Sequence, residues 1–279
     1  MNKILIIGLG LIGGSYAKKL TSKGYDVYGL DIDENTIDYA IKNKIIKDGK
    51  TTVSKEYLSS FDKIIFGLYP SKLVEFVNNY HDYFKKGALI SDVTGVKEVI
   101  VYKVQELLKD QEFIGAHPMA GKEVYGIENS DGEMFNNANY IITPTDKNTM
   151  EGIDFAMSIG KALDFKTMGI LSPERHDEMI AYLSQLTHCI AMALMTCKDT
   201  THLVAYTGDS FNDLTRIANI NENMWSELFL DNKDKLVSEI DLFVKELEKL
   251  KKYIKNEDVE KIKKMMVLSS KRRKAFIKK

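Results

Sequence analysis

The sequence predicts an α/β protein, with a doubly wound parallel sheet in its first half and an all-helical second half. Three observations predict it. Apolar, β-branched runs alternate with helical patterns and glycine punctuation as far as Pro144. The first of them, Lys3-Ile4-Leu5-Ile6-Ile7, is apolar throughout apart from its opening lysine, which suits a parallel strand buried on both faces. From Ser172 onward no strand pattern returns. At 279 residues the chain is long enough for two domains. We place their boundary at Leu171, giving a sheet domain over 1–171 and a helical domain over 172–279.

The first strand runs straight into Gly8-Leu9-Gly10-Leu11-Ile12-Gly13, and a helix opens there. Gly8 permits the tight turn, Gly10 lets backbone approach a pyrophosphate with no Cβ in the way, and Gly13 lets the helix pack closely on the strand. The pyrophosphate is expected at the helix N-terminus, cradled by Gly8, Gly10, Leu11, Ile12 and Gly13, where unpaired N–H groups favour negative charge. A second strand, Asp26-Val27-Tyr28-Gly29-Leu30, ends at Asp31, at the spacing where a carboxylate accepts from both ribose hydroxyls and repels a 2′-phosphate. The expected cofactor is therefore NAD rather than NADP, in a Rossmann-type domain. An ordinary acidic helix cap beside Asp33 is the competing reading of Asp31.

A helix over Glu34 to Lys42 follows, then a short polar strand near Thr51 to Val53 and a buried strand at Phe61 to Leu68. Tyr69-Pro70-Ser71 opens the next helix. Ala88-Leu89-Ile90-Ser91 is a strand ending at Asp92-Val93-Thr94-Gly95, a helix runs from Val96 to Leu108, and Phe113 to Ala116 and Tyr140 to Pro144 supply two more strands. Ligands of such sheets lie beyond the carboxyl ends of the strands, which directs attention to Tyr69 and Pro70 on the cofactor side, to Asp92 through Lys97, and to His117 through Gly121. In the second half, Ser172-Pro173-Glu174 is a strong helix start. Leu236, Ile240, Phe243, Leu247, Leu250 and Ile254 form a narrow coiled-coil-like seam, which predicts a homodimer through the helical domain.

Composition excludes some functions. With 39 basic against 40 acidic residues there is no electrostatic case for nucleic acid or an anionic membrane as partner. No leader and no apolar run of membrane-spanning length is read, so a cytoplasmic enzyme is expected. Cys189 and Cys197 on one helix stand about 12 Å apart, too far for a disulfide. The basic run Lys271-Arg272-Arg273-Lys274 reads as a solvated helix end.

Of five histidines, His81 and His202 read as surface residues, and His176, in the first turn of its helix, as a surface or domain-contact residue. His117 follows a buried strand in the rigid turn Gly115-Ala116-His117-Pro118-Met119-Ala120-Gly121; location favours a functional role over a structural one. His188 lies on a polar strip, Asp177, Ala181, Ser184 and His188, of an otherwise apolar helix, and such a strip needs partners or a ligand. Arg216 suggests bidentate carboxylate recognition, with a pair to Asp213 on the same helix as the alternative.

Three motifs in this order, Gly115 through Gly121, Leu183-Ser184-Gln185-Leu186-Thr187-His188-Cys189, and Phe211 through Ala218 with Met224-Trp225 beyond, resemble the prephenate dehydrogenases of tyrosine biosynthesis over nearly the whole chain. The resemblance implies NAD-dependent oxidative decarboxylation of prephenate to 4-hydroxyphenylpyruvate, with no metal. It implies that His117 takes the proton of the C4 hydroxyl, that Arg216 binds the ring carboxylate, and that His188 lies near nicotinamide and substrate. It further implies that Glu123 gates the pocket and that Trp225 reaches in from the neighbouring subunit. Many relatives carry a substrate-contacting serine where this chain has Gly95; Thr94 beside it, or a water, is the expected substitute. Arogenate as substrate, a β-hydroxyacid dehydrogenase or imine reductase of the same plan, and a catalytically inactive NAD-binding dimeric sensor are the competing readings.

Overall fold

The structure, a computed structural model, describes residues 3–122, 124–199 and 201–276. Its centre is an eight-stranded sheet built from β1 (Lys3–Ile7), β2 (Asp26–Leu30), β3 (Asp48–Lys50), β4 (Lys63–Phe66), β5 (Leu89–Asp92), β6 (Glu112–Pro118), β7 (Asn139–Thr143) and β8 (Thr167–Ile170). The strands lie in the order β3-β2-β1-β4-β5-β6-β7-β8. All neighbours are parallel except β6 and β7, which run antiparallel. The order reverses at β1, whose end at Ile7 pairs with Leu30 on one side and Phe66 on the other, so the crevice beyond these three strand ends is where a ligand fits.

Both faces of the sheet are covered, as the unbroken apolar strands require. Ile4 and Ile6 point into one core, with Tyr16, Ala17 and Leu20 of α1 (Leu11–Ser22) and with Phe155, Ala156 and Ile159 of the helix Met150–Ala162. Leu5 and Ile7 point into the other, with Leu73 and Val77 of the helix Pro70–Tyr80 and with Ile100, Val101 and Val104 of the helix Glu98–Leu107. The remaining helices before the second half are Glu34–Lys42, capped by Asp33, and the single turn Lys55–Leu58, capped by Ser54. In chain order these helices are α2 (Glu34–Lys42), α3 (Lys55–Leu58), α4 (Pro70–Tyr80), α5 (Glu98–Leu107) and α6 (Met150–Ala162).

Three local expectations change. The short third strand sits at Asp48–Lys50, paired with Tyr28 to Leu30, and Thr51 to Val53 are outside it. The β6 strand runs through His117 and Pro118, because antiparallel pairing with Ile141 and Tyr140 of β7 carries it past Ala116. β8 adds a strand that its weakly apolar Thr-Met-Gly-Ile did not signal.

Helix α7 (Pro173–Ile180) opens on a Ser172 cap that accepts from Arg175 N, passes through a π turn at Ala181–Gln185, and continues as α8 (Leu186–Thr196). Pro173–Thr196 makes one helix of 24 residues, and its most apolar 18-residue stretch has a mean hydropathy of 1.3, long and apolar enough to cross a membrane, which corrects the sequence expectation. Its polar groups are nonetheless engaged in the fold: Asp177, His176 and Gln185 are buried and hydrogen-bonded, as in the core helix of a globular protein. Next come α9 (Asp209–Thr215) and α10 (Glu222–Asp231), the latter capped by Asn221.

By packing, the chain forms two compact units, 1–232 and 233–279. The reason is that α7 through α10 are stitched to the sheet: Asp177 accepts from two backbone N–H groups of the segment after β5, and Glu227 accepts from Ser71. The second unit is a hairpin of α11 (Lys233–Lys255) and α12 (Val259–Ala275), turned at Glu257 with Asp258 as cap. The predicted seam lies on α11. Phe243, Leu247 and Ile254 along it are exposed, Leu247 to 53%.

Candidate active site

The glycine turn has the geometry its spacing implies. Gly8 adopts φ +89°, a left-handed backbone conformation that side chains disfavour. A Cβ on Gly13 would stand 1.9 Å from the Gly8 carbonyl oxygen, so only glycine permits this approach of α1 to the end of β1. A Cβ on Gly10, by contrast, would meet nothing within 4 Å. That open space, next to the first N–H groups of α1, is the kind of cradle a pyrophosphate fills. Leu11 and Ile12 form the helix's first turn. Asp31 is fixed beside the turn: its carboxylate accepts from Leu9 N at 2.7 Å and Asp33 N at 3.1 Å. These residues fit a dinucleotide with a free ribose 2′-hydroxyl.

Beyond β4, Tyr69 caps α4 and Pro70 is buried at its first position. Sequence reasoning missed what holds this loop. Glu227 of α10 accepts from Ser71 N at 3.1 Å and Ser71 Oγ at 2.9 Å, and Asn221 donates to Tyr69 Oη at 3.1 Å. A lone glutamate among many surface acids gave no signal for this role.

Beyond β5 stands a buried polar frame. Asp92 and Lys97 are both fully enclosed and paired at 2.6 Å, and Asp92 also accepts from Ala116 N at 3.1 Å and Thr94 N at 2.9 Å. The Thr94 hydroxyl donates to Asp92 and accepts from Lys97 Nζ at 3.0 Å. With 4% exposure, Thr94 is engaged inside this frame. Gly95 itself faces the site. A Cβ there would lie 3.8 Å from His117 Nε2 and 3.3 Å from Leu228 Cδ2.

His117 is half-buried at the end of β6. Its Nδ1 lies 2.9 Å from His176 Nε2, and His176 Nδ1 lies 2.7 Å from Asp177 Oδ1. His176 is therefore no surface residue; it is wholly buried, because its helix begins over the sheet's carboxyl edge rather than at the periphery. Asp177 in turn accepts from Lys97 N and Glu98 N at 2.8 Å each, at the N-terminus of α5. Burial pushes the His117 imidazole well below its ordinary range, with the charges of His176 and Lys97 adding to the effect. Burial lowers His176 as well, against the opposing pull of Asp177. The adjacent pair His176-Asp177, opening a helix within reach of a glycine-punctuated strand end, was the available signal.

The polar strip on the long helix does find partners. Asp177 is engaged as described, and half-buried His188 sits with Nδ1 2.9 Å from the Ser184 carbonyl oxygen, just past the π turn. Such turns interrupt helices frequently at functional sites. Here the turn also places buried Gln185, which donates to Leu228 O at 2.6 Å and accepts from Asn232 at 2.8 Å, holding α10 in place. The Trp225 ring lies on the His188 ring of its own chain, with centroids 3.7 Å apart. Arg216 is exposed on the turn Arg216–Ala218, which packs against α8, the helix of His188. Glu123 lies outside the described residues. The structure thus joins His117 with Gly95, and His188 with Trp225.

The sequence model described as "Prephenate dehydrogenase, nucleotide-binding domain" matches residues 16–167, and that described as "Prephenate dehydrogenase, dimerization domain" matches 172–268. A prephenate dehydrogenase of Bacillus subtilis is 31% identical over 267 residues, which span 92% of this chain and 71% of that protein. One from Lactococcus lactis is 31% identical over 263 residues, spanning 90% of this chain and 70% of that protein. The crystal structure of prephenate dehydrogenase from A. aeolicus in complex with hydroxyphenyl propionate and NAD+ superposes with a TM-score of 0.89 at 29% identity, covering 99% of both chains. With the glycine cradle, Asp31 and the buried histidine pair already in view, the chain is an NAD-dependent oxidoreductase and belongs to the prephenate dehydrogenase family.

Proposed function

We propose that this enzyme oxidises prephenate, with loss of its ring carboxylate as carbon dioxide, to 4-hydroxyphenylpyruvate in tyrosine biosynthesis. The reading includes action in the cytoplasm, as a homodimer through the helical portion 172–279. The observation that carries it is the half-buried His117, held through Nδ1 by His176 and with Nε2 on the side of Gly95.

A general base must be unprotonated to act, and burial keeps His117 so at neutral pH. In this reading its Nε2 takes the proton of the C4 hydroxyl as that carbon is oxidised. NAD, when bound, supplies the hydride acceptor. The C4 oxygen becomes a carbonyl, the bond from C1 to the carboxylate breaks, its electron pair moves through the ring to the C4 oxygen, and that oxygen recovers the proton from His117 to leave an aromatic phenol. Aromatisation drives that last step, so the protein needs only to orient the substrate and hold the proton. Gly8, Gly10, Leu11, Ile12 and Gly13 hold the cofactor's pyrophosphate, Asp31 its ribose, and Tyr69 and Pro70 flank it. Arg216 takes the ring carboxylate by a forked contact, and His188 with Trp225 forms the wall near substrate and nicotinamide. Glu123 is assigned to the pocket entrance. Gly95 leaves room for the C4 hydroxyl to meet His117 directly, without a serine between them.

The test is appearance of NADH absorbance with purified protein, using prephenate or arogenate in parallel, each with NAD and with NADP. Rapid turnover of prephenate with NAD is expected. Preference for arogenate, or binding of NAD with no turnover of either, would overturn the assignment.

A further inference from the structure

We propose that Asp177 and His176 are positioning residues that hold His117 in the one tautomer whose Nε2 is free to take a proton. The inference rests on the reading of His117 as the base. Asp177, ionised, can only accept hydrogen bonds, and two backbone N–H groups at the start of α5 already fix its orientation. The His176 Nδ1 that stands 2.7 Å from it must therefore carry hydrogen. A neutral imidazole has one such hydrogen, so His176 Nε2 is an acceptor. At 2.9 Å from it, His117 Nδ1 must be the donor, since two lone pairs facing at that distance would repel. One proton remains on each ring, and His117 Nε2 is left bare on the side of Gly95.

The surroundings keep that count. Lys97, from the segment before α5, is the cation nearest both rings, and it is paired with Asp92 of β5. Among the described residues these, with Asp177, are the charged groups that act on the pair, and burial disfavours a second proton on either ring. A bare, oriented Nε2 does not follow from His117 alone, because a free imidazole exchanges its proton between both nitrogens.

Two measurements on the full chain test the assignment. In nitrogen NMR of 15N-histidine-labelled protein at pH 7, His117 and His176 should both appear as neutral rings protonated at Nδ1. Protonation of His117 at Nε2 would overturn the proposal. In kinetics, His176→Phe removes the acceptor, while His176→Gln offers a carbonyl oxygen near the position of Nε2. The Phe variant should lose about 100-fold in kcat or more with NAD affinity unchanged, and the Gln variant should stay within about tenfold of the parent. Wild-type turnover in His176→Phe would also overturn it. If that variant fails to fold, the wild-type spectrum decides. The spectrum needs no substrate: the Nδ1 tautomer in a protein inert toward prephenate would sink the proposed reaction and leave this inference standing. Brisk prephenate turnover with the opposite tautomer would do the converse.

Discussion

Two glycines of one turn offer a matched experiment, because the structure gives them opposite reasons to be glycine. Alanine at 13 would drive a Cβ to 1.9 Å from a backbone oxygen that no rotamer can move, so α1 must shift away from the end of β1. Overpacking of this kind costs about 1–3 kcal/mol, and the rigidity of the neighbour puts Gly13→Ala at the upper end. For a chain of this size that is roughly 6–12 °C in Tm. Alanine at 10 would enter open space at φ −67°, a value any residue adopts, so its Tm should stay near that of the parent. Its methyl would instead occupy the approach of the pyrophosphate. A loss of about 1–3 kcal/mol there weakens NAD binding by roughly 5- to 140-fold. Calorimetry of melting and of NAD titration on the two variants reads both effects. Gly13→Ala with an unchanged Tm would refute the close-packing argument, and Gly10→Ala with unchanged NAD affinity would move the cofactor off this turn.

Asp31→Ser should keep the fold but shift the ratio of kcat/KM for NAD over NADP by at least about tenfold, since it removes a charged acceptor and the repulsion of a 2′-phosphate; an unchanged ratio would take Asp31 out of the ribose site. His117 and His176 both have folded pKa values below the unfolded value of about 6.5, so the unfolded chain binds more protons below that pH. Their neutral burial therefore carries no penalty above about pH 6.5, and stability falls as the pH drops from there through the folded values; denaturant midpoints of the wild type against a His117→Gln variant should converge above that pH and diverge below it. Arg216→Ala, at an exposed position, should leave Tm within a few degrees while kcat/KM falls by about 2–4 kcal/mol, roughly 30- to 1000-fold; parent-like turnover would remove Arg216 from the site. Leu247→Lys on the exposed face of α11 should turn a dimer into a monomer in sedimentation at micromolar concentration; a dimer that persists would place the interface elsewhere.

Much of the sheet was legible because its strands are short, apolar on both sides and separated by glycine or proline. β8 was not, since Thr167 to Ile170 is only partly apolar and gains its strand character from pairing with β7. The glycine turn was legible at Gly8 and Gly13, because a positive φ at one and a close backbone approach at the other demand glycine. The catalytic surroundings were harder. His117 could be singled out by its place at a strand end, but the role of His176 depends on α7 starting above that strand, a tertiary fact with no local signature. The partners of Thr94 were hidden for the same reason: its hydroxyl meets Asp92 and Lys97 only in space. The packing boundary at Asn232 was hidden too, because side chains such as Gln185 and Asn232 unite elements that composition would separate.

The enclosed Asp92–Lys97 pair also governs how this loop can vary in evolution. Replacing either partner alone strands a charge away from water, which costs about 3–5 kcal/mol, a large share of the 5–15 kcal/mol that holds a typical domain together. Each residue thus vetoes drift at the other, and only a concerted double exchange is open to them. Gly95 stands under no such veto. The path of its backbone is anchored from both ends, so the side chain at 95 can be gained or lost without redrawing the loop. A side chain at 95 asks one flexible neighbour, Leu228, to yield by a few tenths of an ångström, and nothing charged to move.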